Sequence, residues 1–231
     1  KSMSNKLKLS VSPHIHSGKS TSGIMRDVLI SLLPATIAGA VIFGLRALLV
    51  VAVCVAACVA FEALFNLMMK QTQTIGDFSA AVTGLLLALN LPANIPLWIV
   101  VIGAVVAICV AKMPFGGLGK NIFNPALAAR VFLLIAYPVQ MTSFPAPTME
   151  GFVDAYSGAT PLGAAKAGLV DFASFDAPGM FVGAMGGSFG EISALALLLG
   201  FVYLLMRRVI SWHTPVAILG TMALFATIFA G

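Results

Sequence analysis

Residues 77–96 read DFSAAVTGLLLALNLPANIP, in which an apolar stretch runs into two prolines. Pro92 and Pro96 break any helix that reaches them, because proline lacks the backbone N–H and its ring clashes with the preceding turn. The apolar part, 77–91, is shorter than the roughly 20 residues that a membrane-crossing helix needs. Because unpaired backbone cannot face lipid, this stretch is predicted to be a re-entrant half-helix whose end is buried in protein.

Longer apolar segments lie on both sides of this half-helix. They predict membrane helices at 24–44, 46–69, 96–112, 124–141, 191–206 and 213–230. The composition agrees, since 60% of the 231 residues are apolar and only 9% are charged, against about 25% charged in soluble proteins. The chain is therefore predicted to be an all-α polytopic membrane protein, which excludes a soluble domain.

The basic residues predict the orientation. When the helices alternate, all of the 13 Lys and Arg residues except Arg46 and Lys166 fall on or near one side, which the positive-inside rule identifies as the cytoplasm. Residues 1–23 are then a cytoplasmic tail, 24–141 a first group of membrane helices, 142–190 an external loop and 191–231 two further helices. The basic residues form no continuous stripe, so nucleic acid is not expected as a partner.

The external loop contains DAYSGATP at 154–161. Gly158 and Ala159 leave space around the Thr160 hydroxyl, and Pro161 biases Thr160 towards an extended backbone. Taken alone, the four residues SGAT would be explained as a small-residue turn. The spacing D-x-x-S-G-A-T, however, is similar to the flavinylation motif, in which a flavin transferase takes FAD, releases AMP and leaves FMN esterified to the threonine.

Several segments together resemble one membrane-protein family, the D subunit of the Rnf electron-transport complex. They are SPHIHSGKSTSGIMRDVLISLLPA, DFSAAVTGLLLALNLP, GGLGKNIFNPALAARVF, SGATPL and GSFGEISALALLLG. The sister family, the B subunit of the sodium-pumping NADH:quinone reductase, usually has a longer N-terminal extension, whereas only about 23 residues precede the first helix here. Members of both families continue beyond the last helix of this chain, so we expect the chain to be C-terminally incomplete.

The resemblance implies a component of a redox-driven, ion-translocating oxidoreductase that couples ferredoxin oxidation to NAD reduction and moves Na⁺ or H⁺. It implies covalent FMN at Thr160 through a phosphoester, with Asp154, Ser157, Gly158 and Ala159 as further cofactor-binding residues. A non-covalent flavin such as riboflavin is left open. The expected partners are the other Rnf subunits, including the G subunit with a second covalent FMN, a flavin transferase and the lipid bilayer of a prokaryotic plasma membrane. The family is related in fold to urea transporters with inverted repeats.

Three other functions compete with this interpretation. The first is the B subunit of the sister complex. The second is a solute channel of the urea-transporter type, in which the external loop is only a lid. The third is a scaffold that holds partner subunits without carrying electrons.

Ionisable groups within apolar spans are functional candidates, because burying a charge in a membrane is costly. Glu62, in the second span, is expected either to pair with a basic residue or to line an ion path. Asp77 and Glu191 stand at helix starts and are expected to act as caps. Asn124 is expected to cap the next helix, with Pro125 at its first position.

Two pairs of residues, one of cysteines and one of histidines, could in principle bind a metal, but other roles are expected for them. Cys54 and Cys58 share a helix face in the run VAVCVAACVA, where cysteines behave as packing residues. His14 and His16 are expected to lie in the solvated tail. No metal site is predicted.

Overall fold

The computed structural model describes residues 20–145, 157–158, 163, 168, 177–183 and 187–229. Most of these residues are helical and very few lie in strands, which confirms the all-α prediction. The helices are α1 (Thr21–Phe43), α2 (Leu45–Met68), α3 (Ser79–Leu89), α4 (Leu97–Val105), α5 (Pro125–Ala136), α6 (Pro138–Thr142), α7 (Ala177–Val182), α8 (Ala194–Met206) and α9 (His213–Phe229). A π-helical turn, Val106–Val110, continues α4, and two short strands, β1 (Phe144–Pro145) and β2 (Ser157–Gly158), pair antiparallel.

Three helical segments of the described residues are long and apolar enough to cross a membrane. They are Thr21–Phe43, Leu45–Met68 and Leu97–Phe115, the last of which includes the π-helical turn. Many large apolar side chains of these helices are exposed, as expected of surfaces that contact lipid or other membrane subunits. The chain is a membrane protein. Its likeness to urea transporters stays a prediction.

The short helix expected within 77–91 is α3, and it lies in the centre of the packing. Nine of its 11 residues are buried. It packs closely on α2, because a Cβ atom at Gly84 would lie 2.8 Å from Val55 Cα. Phe78 is the N-cap residue of α3, and the capping hydrogen bond expected of Asp77 is made from the position before it, since Asp77 Oδ1 accepts a 2.7 Å hydrogen bond from Ser79 N.

The carboxyl end of α3 is also satisfied inside the protein. The backbone N–H of Gly190 donates to Leu89 O over 2.8 Å, and that of Phe189 donates to Leu91 O over 3.2 Å. The last carbonyls of a helix have no partner within the helix, and inside a membrane no water is present to bind them. These two hydrogen bonds supply the missing partners. The segment around residues 187–191 therefore closes the end of the half-helix.

Most predicted helix ends are shifted by one to three residues in the structure, and two of the differences have an identifiable local cause. The helix expected over 124–141 is interrupted at Tyr137 (φ −134°, ψ 58°), because Pro138 disfavours the α conformation in the residue before it. The helix expected from residue 191 begins at Ala194, and its cap is Ser193, whose side chain accepts from Ala196 N. The capping role predicted for Glu191 is therefore wrong.

The stretch 142–190, expected to be a loop, includes the short helix α7. The capping predicted for Asn124 is confirmed, since its side chain accepts from Ala126 N and Pro125 opens α5.

Candidate functional site

A buried ion pair joins Glu62 on α2 to Lys112, the second residue after the π-helical turn. Lys112 Nζ lies 2.5 Å from Glu62 Oε2, and only 2% and 1% of the two side chains are exposed. Lys112 Nζ also donates to Ser79 Oγ, in the first residue of α3, over 2.6 Å. Buried charges need such additional hydrogen bonds, because both ions have lost their hydration. The pair thus ties three helical segments together at one point.

Two further polar side chains complete this arrangement around the carboxylate. Thr74 Oγ1 donates to Glu62 Oε1 over 2.5 Å and accepts a 3.0 Å hydrogen bond from Asn66 Nδ2. Asn66 lies one helical turn after Glu62 and is 1% exposed. Within the described part of the chain, Asn66 Oδ1 has no hydrogen-bond partner. We call Glu62, Asn66, Thr74, Ser79 and Lys112 the Glu62 cluster.

Local backbone features position two residues of this cluster, Lys112 and Ser79. The N–H of Ala111 bonds to Val106 O, five residues back, and this π-type turn holds one residue more than an α-helical turn. Turns of this kind are frequent at functional sites. On the other side, the Asp77 cap fixes Ser79 at the start of α3.

The structure shows the first of the two roles expected for Glu62, pairing with a basic residue. The ion-path role stays a prediction. The partner is not predicted by the sequence pattern, in which Lys112 is one of the basic residues of the cytoplasmic side and is not expected to be buried. One signal was present, since Lys112 is the sole charged residue between positions 97 and 119 and directly follows an apolar span.

The structure describes only part of the predicted flavin site. Ser157 and Gly158 form β2, with Ser157 opposite Pro145 and Gly158 opposite Phe144 of β1. Asp154, Ala159 and Thr160 lie outside the described residues. Their role as cofactor-binding residues stays a prediction.

A second ionic contact, which sequence analysis also missed, joins α1 to the end of α8. Arg207 Nε donates to both carboxylate oxygens of Asp27 over 3.2 Å, and Tyr203 Oη donates to Asp27 Oδ1 over 3.3 Å. Asp27 is 7% exposed, whereas Arg207 faces solvent. The hydrogen bond and the negative charge of Asp27 raise the pKa of Arg207 above its usual value. The contact supports α1–α8 packing.

Cys54 and Cys58 are free thiols, fully buried where α2 meets α3. A Cβ atom at Gly84 would lie 3.0 Å from Cys54 O and 3.2 Å from Cys58 Cβ. The two cysteines therefore lie in the closest part of this helix contact, as the packing role requires. His14 and His16 lie outside the described residues.

Comparison with known proteins decides the family. Residues 8–231 match the model of the NQR2, RnfD, RnfE family. The chain belongs to this family. It is 48% identical over 228 residues, 96% of this chain and 70% of the relative, to the D subunit of the Na⁺-translocating ferredoxin:NAD⁺ oxidoreductase complex of Acetobacterium woodii.

Two other relatives are also D subunits. Identity is 40% to that of the proton-translocating ferredoxin:NAD⁺ oxidoreductase complex of Clostridium ljungdahlii, over 96% of this chain and 69% of the relative. It is 39% to that of the ion-translocating oxidoreductase complex of Halorhodospira halophila, over 94% of this chain and 69% of the relative. The resemblance inferred from the sequence motifs is confirmed at the level of the RnfD family.

Proposed function

We propose that this protein is the D subunit of an Rnf-type complex, which transfers electrons from ferredoxin to NAD⁺ and couples the transfer to movement of Na⁺ or H⁺. The observation that carries this proposal is 48% identity across 96% of the chain to a relative with that activity in its name. The all-helical membrane fold agrees with it. Because one relative is named for Na⁺ and another for protons, similarity does not select the ion.

The electron-carrying group of the proposal is FMN, held by a phosphoester on the Thr160 hydroxyl. The chemistry of the residues fits, since a threonine hydroxyl is the acceptor that such an ester needs and small residues flank it. Bound FMN would supply electron transfer, while the chain supplies anchoring and position. Asp154, Ser157, Gly158 and Ala159 would form the rest of the attachment motif. The pairing of β2 with β1 fixes the backbone at Ser157 and Gly158, two residues before the acceptor.

The remaining parts of the proposal concern location and partners. The loop 142–190 would face the outside of a prokaryotic plasma membrane, with the N-terminus in the cytoplasm. A flavin transferase would attach the FMN, and the other Rnf subunits, including a flavin-bearing G subunit, would exchange electrons with it. Glu62 would lie on or beside the ion path, because it is a carboxylate buried within a membrane helix.

The test is flavin attachment to the full chain coexpressed with a flavin transferase. The wild-type chain should show the added mass of FMN and ultraviolet fluorescence of the denatured band. Thr160→Ala should lose both, and Ser157→Ala, which removes the nearest other hydroxyl of the motif, should keep them. Thr160→Ser is expected to retain part of the flavin, because the hydroxyl survives.

Two outcomes would contradict the assignment. Covalent flavin on Thr160→Ala would place the attachment elsewhere. If the wild-type chain shows no added mass, the proposal of covalent FMN is wrong, and a channel of the urea-transporter type is favoured instead. Within the complex, Thr160→Ala should abolish electron transfer while leaving assembly intact, and retained electron transfer would favour the scaffold function.

A further inference from the structure

Residues 187–191, where the predicted external loop ends, cover one end of the helix bundle, and we call them the closing segment. The half-helix α3 begins at Ser79 in the Glu62 cluster and is 11 residues long, so its other end lies roughly 16 Å further along the helix axis. At that end, a Cβ atom at Gly190 would lie 2.7 Å from Leu89 Cβ. The closing segment therefore touches the end of α3 that is remote from the Glu62 cluster.

Phe189 is the residue of the closing segment that fills this end of the bundle. Its side chain is 2% exposed, and its backbone N–H donates to Leu91 O over 3.2 Å. The ring lies directly on the backbone of α1, because a Cβ atom at Gly39 would lie 2.5–2.9 Å from three ring atoms. An apolar ring thus connects the end of α3 with α1.

The ionic contact of the closing segment is loose. Glu191 Oε1 lies 3.6 Å from Arg130 Nη1, and the side chain of Glu191 is 58% exposed. Exposed ion pairs of this kind contribute little to stability. Arg130 has a second partner in Asn90 Oδ1, at 2.7 Å, so its guanidinium keeps a hydrogen bond when Glu191 moves away. The contact can therefore open at small cost.

Ser188 supplies an independent observation about the same segment. It is fully buried, with 0% of the residue exposed, yet among the residues that the structure describes its hydroxyl oxygen has no hydrogen-bond partner. A buried hydroxyl without a partner costs free energy, and this cost disappears when the segment moves and the hydroxyl meets water. The arrangement thus contains a polar group that favours opening.

We propose that the closing segment is a gate at this end of the ion route, with the ring of Phe189 on Gly39 as its seal. While the ring is in place, an apolar group covers the end of α3, and a hydrophobic constriction excludes hydrated ions. When the segment moves, the ring leaves Gly39, the hydroxyl of Ser188 becomes hydrated, and an ion can pass. Because the segment is continuous with the loop that contains Thr160, a change at the proposed flavin can reach the gate through the chain. This inference rests on the ion-translocating part of the proposed function and adds a conformational step to it.

The first test measures passive uptake of Na⁺ and H⁺ by liposomes that contain the assembled complex, without an electron donor. Phe189→Ala removes the ring and Gly39→Ala displaces it, so each should raise the uptake rate of at least one of the two ions several-fold. The matched control is Gly103→Ala, whose added Cβ would lie 2.8 Å from Leu133 Cδ1 and disturbs a helix contact elsewhere. This control should leave the liposomes tight. Equal leakage in the control, or tight liposomes with both gate variants, would overturn the seal.

The second test asks whether the gate opens during electron transfer. The complex is studied in detergent, with the native cysteines of this chain replaced. Ser188→Cys should resist a thiol reagent at rest and react several-fold faster while electrons pass from ferredoxin to NAD⁺. The matched control is Ala93→Cys, at a position that is 4% exposed in the turn after α3, and it should stay protected in both conditions. Equal protection of Ser188→Cys at rest and in turnover, or equal exposure of both thiols in turnover, would contradict the gate.

Failure of this inference can be told apart from failure of the proposed function. A complex that transfers electrons and takes up ions, but in which Phe189→Ala does not leak and Ser188→Cys stays protected, would overturn the gate alone. A complex without electron transfer would overturn the proposed function, and the leakage measurement would still decide the seal because it needs no electron donor.

Discussion

Arg130 on α5 donates a 2.7 Å hydrogen bond from Nη1 to Oδ1 of Asn90, the residue that ends the half-helix α3. Asn90 Nδ2 in turn donates to Leu86 O over 2.8 Å. The same Nη1 atom lies 3.6 Å from Glu191 Oε1, next to the segment that closes the half-helix. One guanidinium therefore holds both the end of α3 and the chain that covers it.

We expect the neutral partner of Arg130 to contribute more to stability than the charged one. Asn90→Ala removes a hydrogen bond to a charged group, which is worth about 1.5–3 kcal/mol. Glu191→Gln weakens an ion pair whose carboxylate is 58% exposed, and such pairs contribute about 0–1 kcal/mol. Chemical unfolding of the purified chain in detergent measures both. A larger loss for Glu191→Gln than for Asn90→Ala would contradict this account.

Gly200 is expected to be essential for the contact between α8 and α1. A Cβ atom at this position would clash with the backbone oxygen of Ser31, so Gly200→Ala must push the helices apart, at a cost of about 1–3 kcal/mol. The matched control is Gly220→Ala on α9, where nothing lies within 4 Å of the added Cβ. There alanine should leave stability unchanged or raise it by about 0.5–1 kcal/mol. Thermal unfolding separates the two, and equal effects would argue against the close α1–α8 packing.

The orientation in the membrane can be tested by cysteine labelling. In a chain whose three native cysteines are replaced, Gly163→Cys should react with an impermeant thiol reagent added outside intact cells. Lys120→Cys should react only after the membrane is opened. Both positions are exposed in the structure, so a difference reports sidedness and not burial. The reverse pattern would place the proposed flavin loop in the cytoplasm.

The sequence predicted those features that depend on neighbouring residues. Pro92 and Pro96 limit α3, Asn124 and Pro125 begin α5, and Asp77 caps the half-helix because each acts within a few residues. The break at Tyr137 follows the same logic. The apolar pattern continues through Pro138 and predicts one unbroken helix, which conceals this break.

Long-range ionic pairs were beyond the same reasoning. Lys112 and Glu62 are 50 residues apart, and Asp27 and Arg207 are 180 apart. Hydropathy indicates that a charge lies in or beside a span, but the packing of distant helices decides which charges meet. Glu62 meets Lys112 because α2 packs against the end of α4, and Asp27 meets Arg207 because α1 packs against α8. The hydrogen bond from Gly190 to Leu89 at the end of α3 also joins residues far apart in the chain, so local sequence patterns do not predict it.

Glu62→Gln should destabilise the protein by about 3–5 kcal/mol, because it leaves the buried ammonium of Lys112 without its carboxylate. Lys112→Met should cost a similar amount for the opposite reason. The double variant Glu62→Gln/Lys112→Met removes both charges and should recover most of the loss, since a buried pair replaced by uncharged side chains is often neutral. Chemical unfolding of the four chains gives the coupling energy, and additive losses would show that the pair contributes no mutual stabilisation.

The same double variant separates structure from ion movement. If Glu62 only holds the helices together, the reassembled complex with restored stability should couple electron transfer to ion uptake as the wild type does. If Glu62 lies on the ion path, the complex should assemble with its flavin attached and still transfer electrons, but ion uptake into vesicles per electron transferred should fall. We expect the second result, because the carboxylate of Glu62 accepts a hydrogen bond from the hydroxyl of the solvent-exposed Thr74, and a pure packing contact does not require such a link to solvent.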